Sequence, residues 1–211
     1  PLKPHCRPKD SALVTSPSDG CISQLGQLTG TEGDRLIQAK GLDYSLSELV
    51  GTSQSLEAYR GGRWVTIYLA PFDYHRVHVP ADGELVRATR HAGELFSVSD
   101  KTARVIPKLY ARNERLVCHF NHSKGPFMVV MVAALMVAGI ETVWSPPEVR
   151  RPHHPMKGDE VLSLNFQQGQ EMGRFHWGST VIVVTSSEFD DWIQDLQPGQ
   201  KIRLNQALTA Q

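Results

Sequence analysis

Two histidines stand three residues apart in Asp73-Tyr74-His75-Arg76-Val77-His78, directly after the run Trp64-Val65-Thr66-Ile67-Tyr68-Leu69. Imidazole titrates near neutral pH, so such a pair can supply a general base and a general acid, or two metal ligands. An isolated His-x-x-His more often holds one surface and one structural histidine. A zinc site needs a third protein ligand. His119, His122, His153 and His154 are spare imidazoles, but a strand–turn–strand setting differs from the helical His-Glu-x-x-His pattern, and no metal is expected. Gly178-Ser179-Thr180 opens a second apolar run, Val181 to Thr185. Gly-Ser most often marks a strand-entry turn, but a serine on tight backbone can also be a nucleophile. A G-x-S-x-G elbow would need glycines at 177 and 181; Trp177 and Val181 stand there, so the α/β-hydrolase pattern fails. Asp19, in Ser16-Pro17-Ser18-Asp19-Gly20, is by itself a turn former. It gains meaning beside the others, because an aspartate can orient a histidine that deprotonates a serine far away in sequence.

The elements that must position these groups read mainly as strands. Cys21 to Leu28, Trp64 to Leu69, Val77 to Val79, Glu84 to Thr89, Leu116 to Phe120, Val181 to Thr185 and Lys201 to Leu204 carry β-branched or aromatic residues between turn signals. Phe127 to Ile140 reads as buried strand, although its Met, Ala and Leu also favour a helix, with a possible kink at Gly139 before Val143-Trp144. Ser45 with Glu48 three residues on has the capping-box pattern of a short helix, and Lys108 to Asn113 fits a helical turn. Residues 1–20 read as an entry arm and Ser145 to Gly158 as a proline-rich basic loop. The expected fold is mainly β (α+β), a single compact domain of many short strands with a few short helices.

Composition narrows the function classes. The chain has 211 residues, with 22 Lys+Arg against 22 Asp+Glu. A balanced charge disfavours nucleic-acid binding, which needs a basic surplus. Cys6, Cys21 and Cys118 are odd in number and widely spaced, so neither a disulfide framework nor a zinc ribbon is expected, and a reducing compartment is the simplest reading. The longest apolar run, Phe127 to Ile140, is shorter than the about 20 residues of a membrane span and reads as core. No stretch reads as a signal peptide, and a start at Pro1 rather than Met suggests that a natural N-terminus precedes it.

Taken together, five stretches resemble the phosphatidylserine decarboxylases: Ser16 to Gly20; Gln38-Ala39-Lys40-Gly41 with Tyr44-Ser45-Leu46; Tyr68-Leu69-Ala70-Pro71 through His75-Arg76-Val77-His78 and Pro80; Asn113-Glu114-Arg115 with Gly139 to Val143; and Gly178-Ser179-Thr180. They run in family order over nearly the whole chain. Trp177 departs from the family's usual Leu, and the family's N-terminal apolar, membrane-associating region is expected to lie outside this sequence, with Pro1-Leu2-Lys3-Pro4 reading as the start of the soluble part.

The resemblance implies a proenzyme that cleaves itself between Gly178 and Ser179. The products are a β chain, residues 1–178, and an α chain, residues 179–211, headed by a pyruvoyl group made from Ser179. It implies His78 as the base for Ser179, Asp19 as its orienting carboxylate, and His75 as the acid that protonates the decarboxylated carbon. The pyruvoyl group would form a Schiff base with the serine amine of phosphatidylserine, and phosphatidylethanolamine and CO2 would leave. It further implies a homodimer of processed protomers, peripheral on the cytoplasmic face of a bacterial-type inner membrane. Arg150, Arg151 and Lys157 are candidates for contact with anionic lipid, or else form a solvated loop. Two rival readings remain at this level: a serine hydrolase using Asp19, His78 and Ser179 without self-cleavage, and a non-enzymatic β-rich binding module.

Overall fold

The computed structural model describes residues 10–29, 34–51, 56–135, 139–145, 158–176 and 179–210. Cys6, Trp177, Gly178 and the basic positions 150, 151 and 157 lie outside the described residues. The expected mainly β architecture holds. Among the described residues thirteen strands run in chain order: β1 (Gly20–Gln27), β2 (Arg35–Ala39), β3 (Leu42–Ser45), β4 (Arg63–Leu69), β5 (Arg76–His78), β6 (Gly83–His91), β7 (Arg115–His122), β8 (Gly125–Val132), β9 (Ile140–Thr142), β10 (Gly158–Phe166), β11 (Glu171–Phe175), β12 (Ser179–Thr185) and β13 (Lys201–Ile202). Three short helices accompany them among the described residues: α1 (Leu46–Val50), α2 (Asp100–Ala103) and α3 (Leu109–Arg112).

One eight-stranded antiparallel sheet, ordered β10-β6-β7-β8-β12-β4-β1-β13, is the frame. Its centre is β12, Ser-Thr-Val-Ile-Val-Val-Thr, with every residue buried. A strand paired on both edges and covered on both faces has no solvent side, which is why it lacks a polar alternation. Its neighbours β8 and β4 are nearly as apolar. The run from Phe127 thus resolves into strand, ending at Val132 and resuming at Ile140 after Gly139, whose φ of 102° suits glycine. A three-stranded sheet, β5-β11-β9, and the hairpin β2-β3 complete the pairing.

Several residues of the quoted motifs build this frame rather than the chemistry. Ser45 Oγ accepts from Glu48 N at 3.1 Å while Glu48 Oε2 accepts from Ser45 N at 2.9 Å, the expected capping box of α1. Arg115, buried, donates from Nε to Leu49 O at 2.6 Å and from Nη2 to Glu48 O at 3.1 Å, satisfying carbonyls that α1 leaves open. Burial pulls its guanidinium down to about 10. Asn113 binds Phe96 through both N and O and reaches Ala133 O at 2.8 Å. Gln38 is buried and ties Ala103, Ile106 and Leu109 together. His119 is held neutral, pushed by burial and by Arg87 to about 4. No group of three or more His, Cys, Asp or Glu among the described residues is arranged to hold a metal ion. No helix among them is long and apolar enough to cross a membrane.

Candidate active site at the Ser179 end of the sheet

The registers bring the candidate residues to one end of the eight-stranded sheet. Ser179 is the first residue of β12 and pairs with Leu69, the last of β4. On the other side of β4, Cys21 of β1 pairs with Tyr68, so Asp19, two residues upstream, comes level with Ala70. Asp19 and Ser179 therefore flank the end of β4, two strand spacings or about 10 Å apart along the backbone. Gly20 makes the approach possible: a Cβ there would lie 2.5 Å from Tyr68 O. Asp19 Oδ1 accepts from Leu204 N at 2.9 Å, which ties this turn to the chain's last segment.

Beyond Leu69 the chain reverses. Asp73 N donates to Ala70 O at 2.9 Å and Asp73 Oδ2 accepts from Ala70 N at 2.8 Å, closing a turn with Pro71 at its second position. The turn delivers His75 and then β5, which lies against both partners. His78 N donates to Pro17 O at 2.8 Å, two residues before Asp19, and β5 pairs with β11 through Val77–Gly173 and Arg76–Arg174. Phe175 N donates to His75 O at 2.9 Å. The chain entering the Gly178–Ser179 bond thus runs beside β5, and the chain leaving it runs beside β4.

The imidazole hydrogen bonds assign each ring a tautomer. His78, buried, has Nδ1 at 2.7 Å from Gly169 O, so Nδ1 carries the proton and donates to that carbonyl. Nε2 is then the basic atom, 3.2 Å from the Tyr74 hydroxyl that donates to it. His75 has Nε2 at 3.0 Å from Pro71 O, which places its proton on Nε2. Its Nδ1 is buried and has no hydrogen-bond partner among the described residues.

Ser179 is fully buried, and its Oγ likewise has no partner among the described residues. Buried hydroxyls are ordinarily paired, and an unpaired one costs about 1–3 kcal/mol. A serine enclosed between β4 and β8 is closed to an ester arriving from solution, which counts against the hydrolase reading. It lies one bond from the carbonyl of its own preceding residue.

A further cluster escaped the analysis of the sequence as a set. Glu141 is buried on β9 and holds two side chains of the strand that leads to the Gly178–Ser179 bond. Its Oε2 accepts from Arg174 Nε at 2.7 Å and Nη2 at 2.6 Å, and its Oε1 lies 2.8 Å from His176 Nε2. Burial alone would raise the Glu141 carboxyl, but Arg174, aided by His176, outweighs it and holds the group below the usual range. The spacing Arg174-x-His176 was the available signal, since residues two apart in extended chain share a face, and His176 directly follows β11.

Comparison with known proteins gives the family. The family model for phosphatidylserine decarboxylase matches residues 1–210. The chain belongs to the phosphatidylserine decarboxylase family. It is 49% identical over 206 residues to a phosphatidylserine decarboxylase proenzyme of Nitrosococcus oceani, covering 94% of this chain and 66% of that relative. Proteins of the same description from Polaromonas naphthalenivorans and Pseudomonas putida are 44% and 43% identical, covering 98% and 99% of this chain and 73% and 74% of theirs. The chain thus spans about two thirds to three quarters of the length of these family members.

Proposed function

We propose that this chain is a self-processing phosphatidylserine decarboxylase that makes phosphatidylethanolamine and CO2. The observation that carries the reading is the fully buried Ser179 Oγ, without a partner among the described residues, at the entry to β12, beside the turn that presents two imidazoles in different tautomers. In the maturation step Ser179 Oγ attacks the carbonyl carbon of Gly178, and its proton passes to His78 Nε2. The peptide C–N bond breaks as the nitrogen takes a proton and becomes a free amine, leaving an ester. Loss of the Ser179 α-proton and cleavage of the ester C–O bond release residues 1–178 with a carboxylate end. Water then replaces the nitrogen at residue 179 as ammonia, leaving a pyruvoyl group.

That group fits the site, since it is built from Ser179 itself and needs no separate cradle. It supplies an electron sink for decarboxylation, which side chains lack. Asp19 supplies negative charge near the imidazolium of His78. His75, with its Nε2–H engaged by Pro71 O, has Nδ1 free to take up the proton that the substrate ammonium loses, and the imidazolium so formed gives that proton back to the substrate α-carbon. The seven pairings of β12 with β4 and six with β8 keep the two chains together after cleavage. The reading places the processed protein, as a homodimer, on the cytoplasmic face of a bacterial-type inner membrane with phosphatidylserine as its lipid partner.

Phosphatidylserine labelled at the serine carboxyl and dispersed in detergent tests this. The matured protein should release the label as CO2, form phosphatidylethanolamine, and lose both activities after phenylhydrazine treatment. Release of free serine or fatty acid, unaffected by phenylhydrazine, would restore the hydrolase reading.

Glu141 is assigned a positioning role for maturation, because it fixes Arg174 and His176 just before the scissile bond. Glu141→Gln keeps the shape and removes the charge. Self-cleavage is expected to slow roughly 10–100-fold, as small misplacements of reacting atoms do, with strand content by circular dichroism unchanged. Because Glu141 titrates below its ordinary range, its pairing persists above that range and is lost only as pH falls through the lowered value. Both forms lose the His78 base on acidification, but the wild-type cleavage rate should show a further fall at lower pH, where Glu141 is protonated, that Glu141→Gln lacks.

A further inference from the structure

The Ser179 end of the sheet carries apolar side chains that the chemistry does not use. Phe72, at the tip of the turn between Leu69 and His75, is 83% exposed. Leu135 is 69% exposed. It follows β8 by three residues, and β8 pairs Val132 with Thr180, so Ser179 comes level with Ala133. Exposed apolar residues thus stand beyond the ends of both strands that flank Ser179. Leu135 and Pro71, the residue before Phe72, both line a hollow of about 150 Å³, with Tyr68, Val98 and Ala134 on its other walls.

Lysines and an arginine stand among carboxylates around these tips. Lys201 Nζ lies 5.7 Å from the Phe72 ring centroid. Tyr68 also lines a second hollow, of about 550 Å³, with Lys40, Arg104 and Asp100 on its walls. Lys40, Arg104 and Lys201 are exposed, as is the one carboxylate among these groups, Asp100. Asp73, also close by, is engaged in closing its own turn. Apolar tips with exposed lysines and an arginine nearby match the interface of a bilayer with anionic headgroups: rings and aliphatic chains enter the acyl boundary while lysines and arginines meet phosphates.

We infer that the Ser179 end of the sheet is the face that docks on an anionic lipid bilayer, with Phe72 and Leu135 as the residues that enter it. This rests on the proposed decarboxylase function and specifies how a lipid-borne amine reaches a reactive group at position 179. It makes access directional, since the docked face is also the mouth of the site.

Vesicles of phosphatidylglycerol and phosphatidylcholine, free of phosphatidylserine, test it apart from catalysis. Phe72→Ser and Leu135→Ser should each lower vesicle partitioning about tenfold, as expected for loss of a buried large apolar side chain. Val161→Ser should leave it unchanged. Val161 is 78% exposed but lies on edge strand β10, four strands from β12. Phe72→Trp fluorescence should be quenched by brominated acyl chains in these vesicles, and Val161→Trp fluorescence should not. Binding should weaken as salt rises. Unchanged partitioning in both serine variants, or equal quenching at 72 and 161, would overturn the inference. So would a change in oligomeric state in place of vesicle binding, which would make the face a protein interface. If the vesicle results hold but no CO2 is released from phosphatidylserine, the decarboxylase reading fails while the docking face stands.

Discussion

Ser179→Ala is expected to accumulate as a single uncleaved chain with no carbonyl-reactive group and no decarboxylase activity. No other atom can perform the attack on Gly178, so the loss is complete rather than partial. The same variant should be more stable than the wild-type precursor, by about 1–2 kcal/mol in denaturant unfolding, because it deletes a fully buried hydroxyl without a partner among the described residues. A nucleophile kept buried and without a partner at the head of a sheet's central strand is a functional cost in stability. The two signs together separate a reactive serine from a packing serine: the latter would lose stability or be neutral, and would leave processing intact. Ser179→Cys, which keeps a nucleophile, should cleave slowly.

The second large effect divides the two histidines. His78→Ala should accumulate as precursor without a ketone, because the base for Ser179 is gone. His75→Ala should mature, react with phenylhydrazine, and yet turn over phosphatidylserine about 10²–10⁴-fold more slowly, the usual contribution of a general acid. A common folding defect would impair both functions in both variants, since the residues are three apart on one turn-and-strand unit. The structure supports different roles through different hydrogen bonds. His78 is anchored at Nδ1 by Gly169 O and basic at Nε2, whereas His75 is anchored at Nε2 by Pro71 O. The reverse pattern, with His75→Ala trapped as precursor and His78→Ala mature but inactive, would overturn the assignment.

The parts of this account legible in the sequence share a physical reason. The β12 and β4 runs were visible because strands buried on both faces are continuous β-branched and aromatic segments. The α1 cap was visible because Ser45 and Glu48 have the reciprocal capping spacing. Other strands were hidden. The hairpin β2-β3 buries Gln38 while exposing Ile37 at 49%, which inverts the apolar alternation a reader looks for. Edge strand β10 has half-buried and exposed residues in alternation, with Val161 on the open side. In β11, Arg174 and Glu171 look like a solvated segment until Glu141 and Arg76 supply their partners. For the site, Asp19, His75, His78 and Ser179 were legible as chemistry-bearing residues, and the registers bring their backbones to one sheet end. The Glu141 cluster was not legible as a unit, because its members meet only through the β9–β11 pairing.

Intact-protein mass spectrometry of the purified chain tests the central claim most directly. The account predicts two polypeptides divided between Gly178 and Ser179, held together until denatured. The piece beginning at residue 179 should be lighter than its serine-initiated form by the mass of one ammonia, and it should gain mass with a carbonyl reagent. A single 23.5 kDa chain that retains Ser179 and still decarboxylates phosphatidylserine would contradict it.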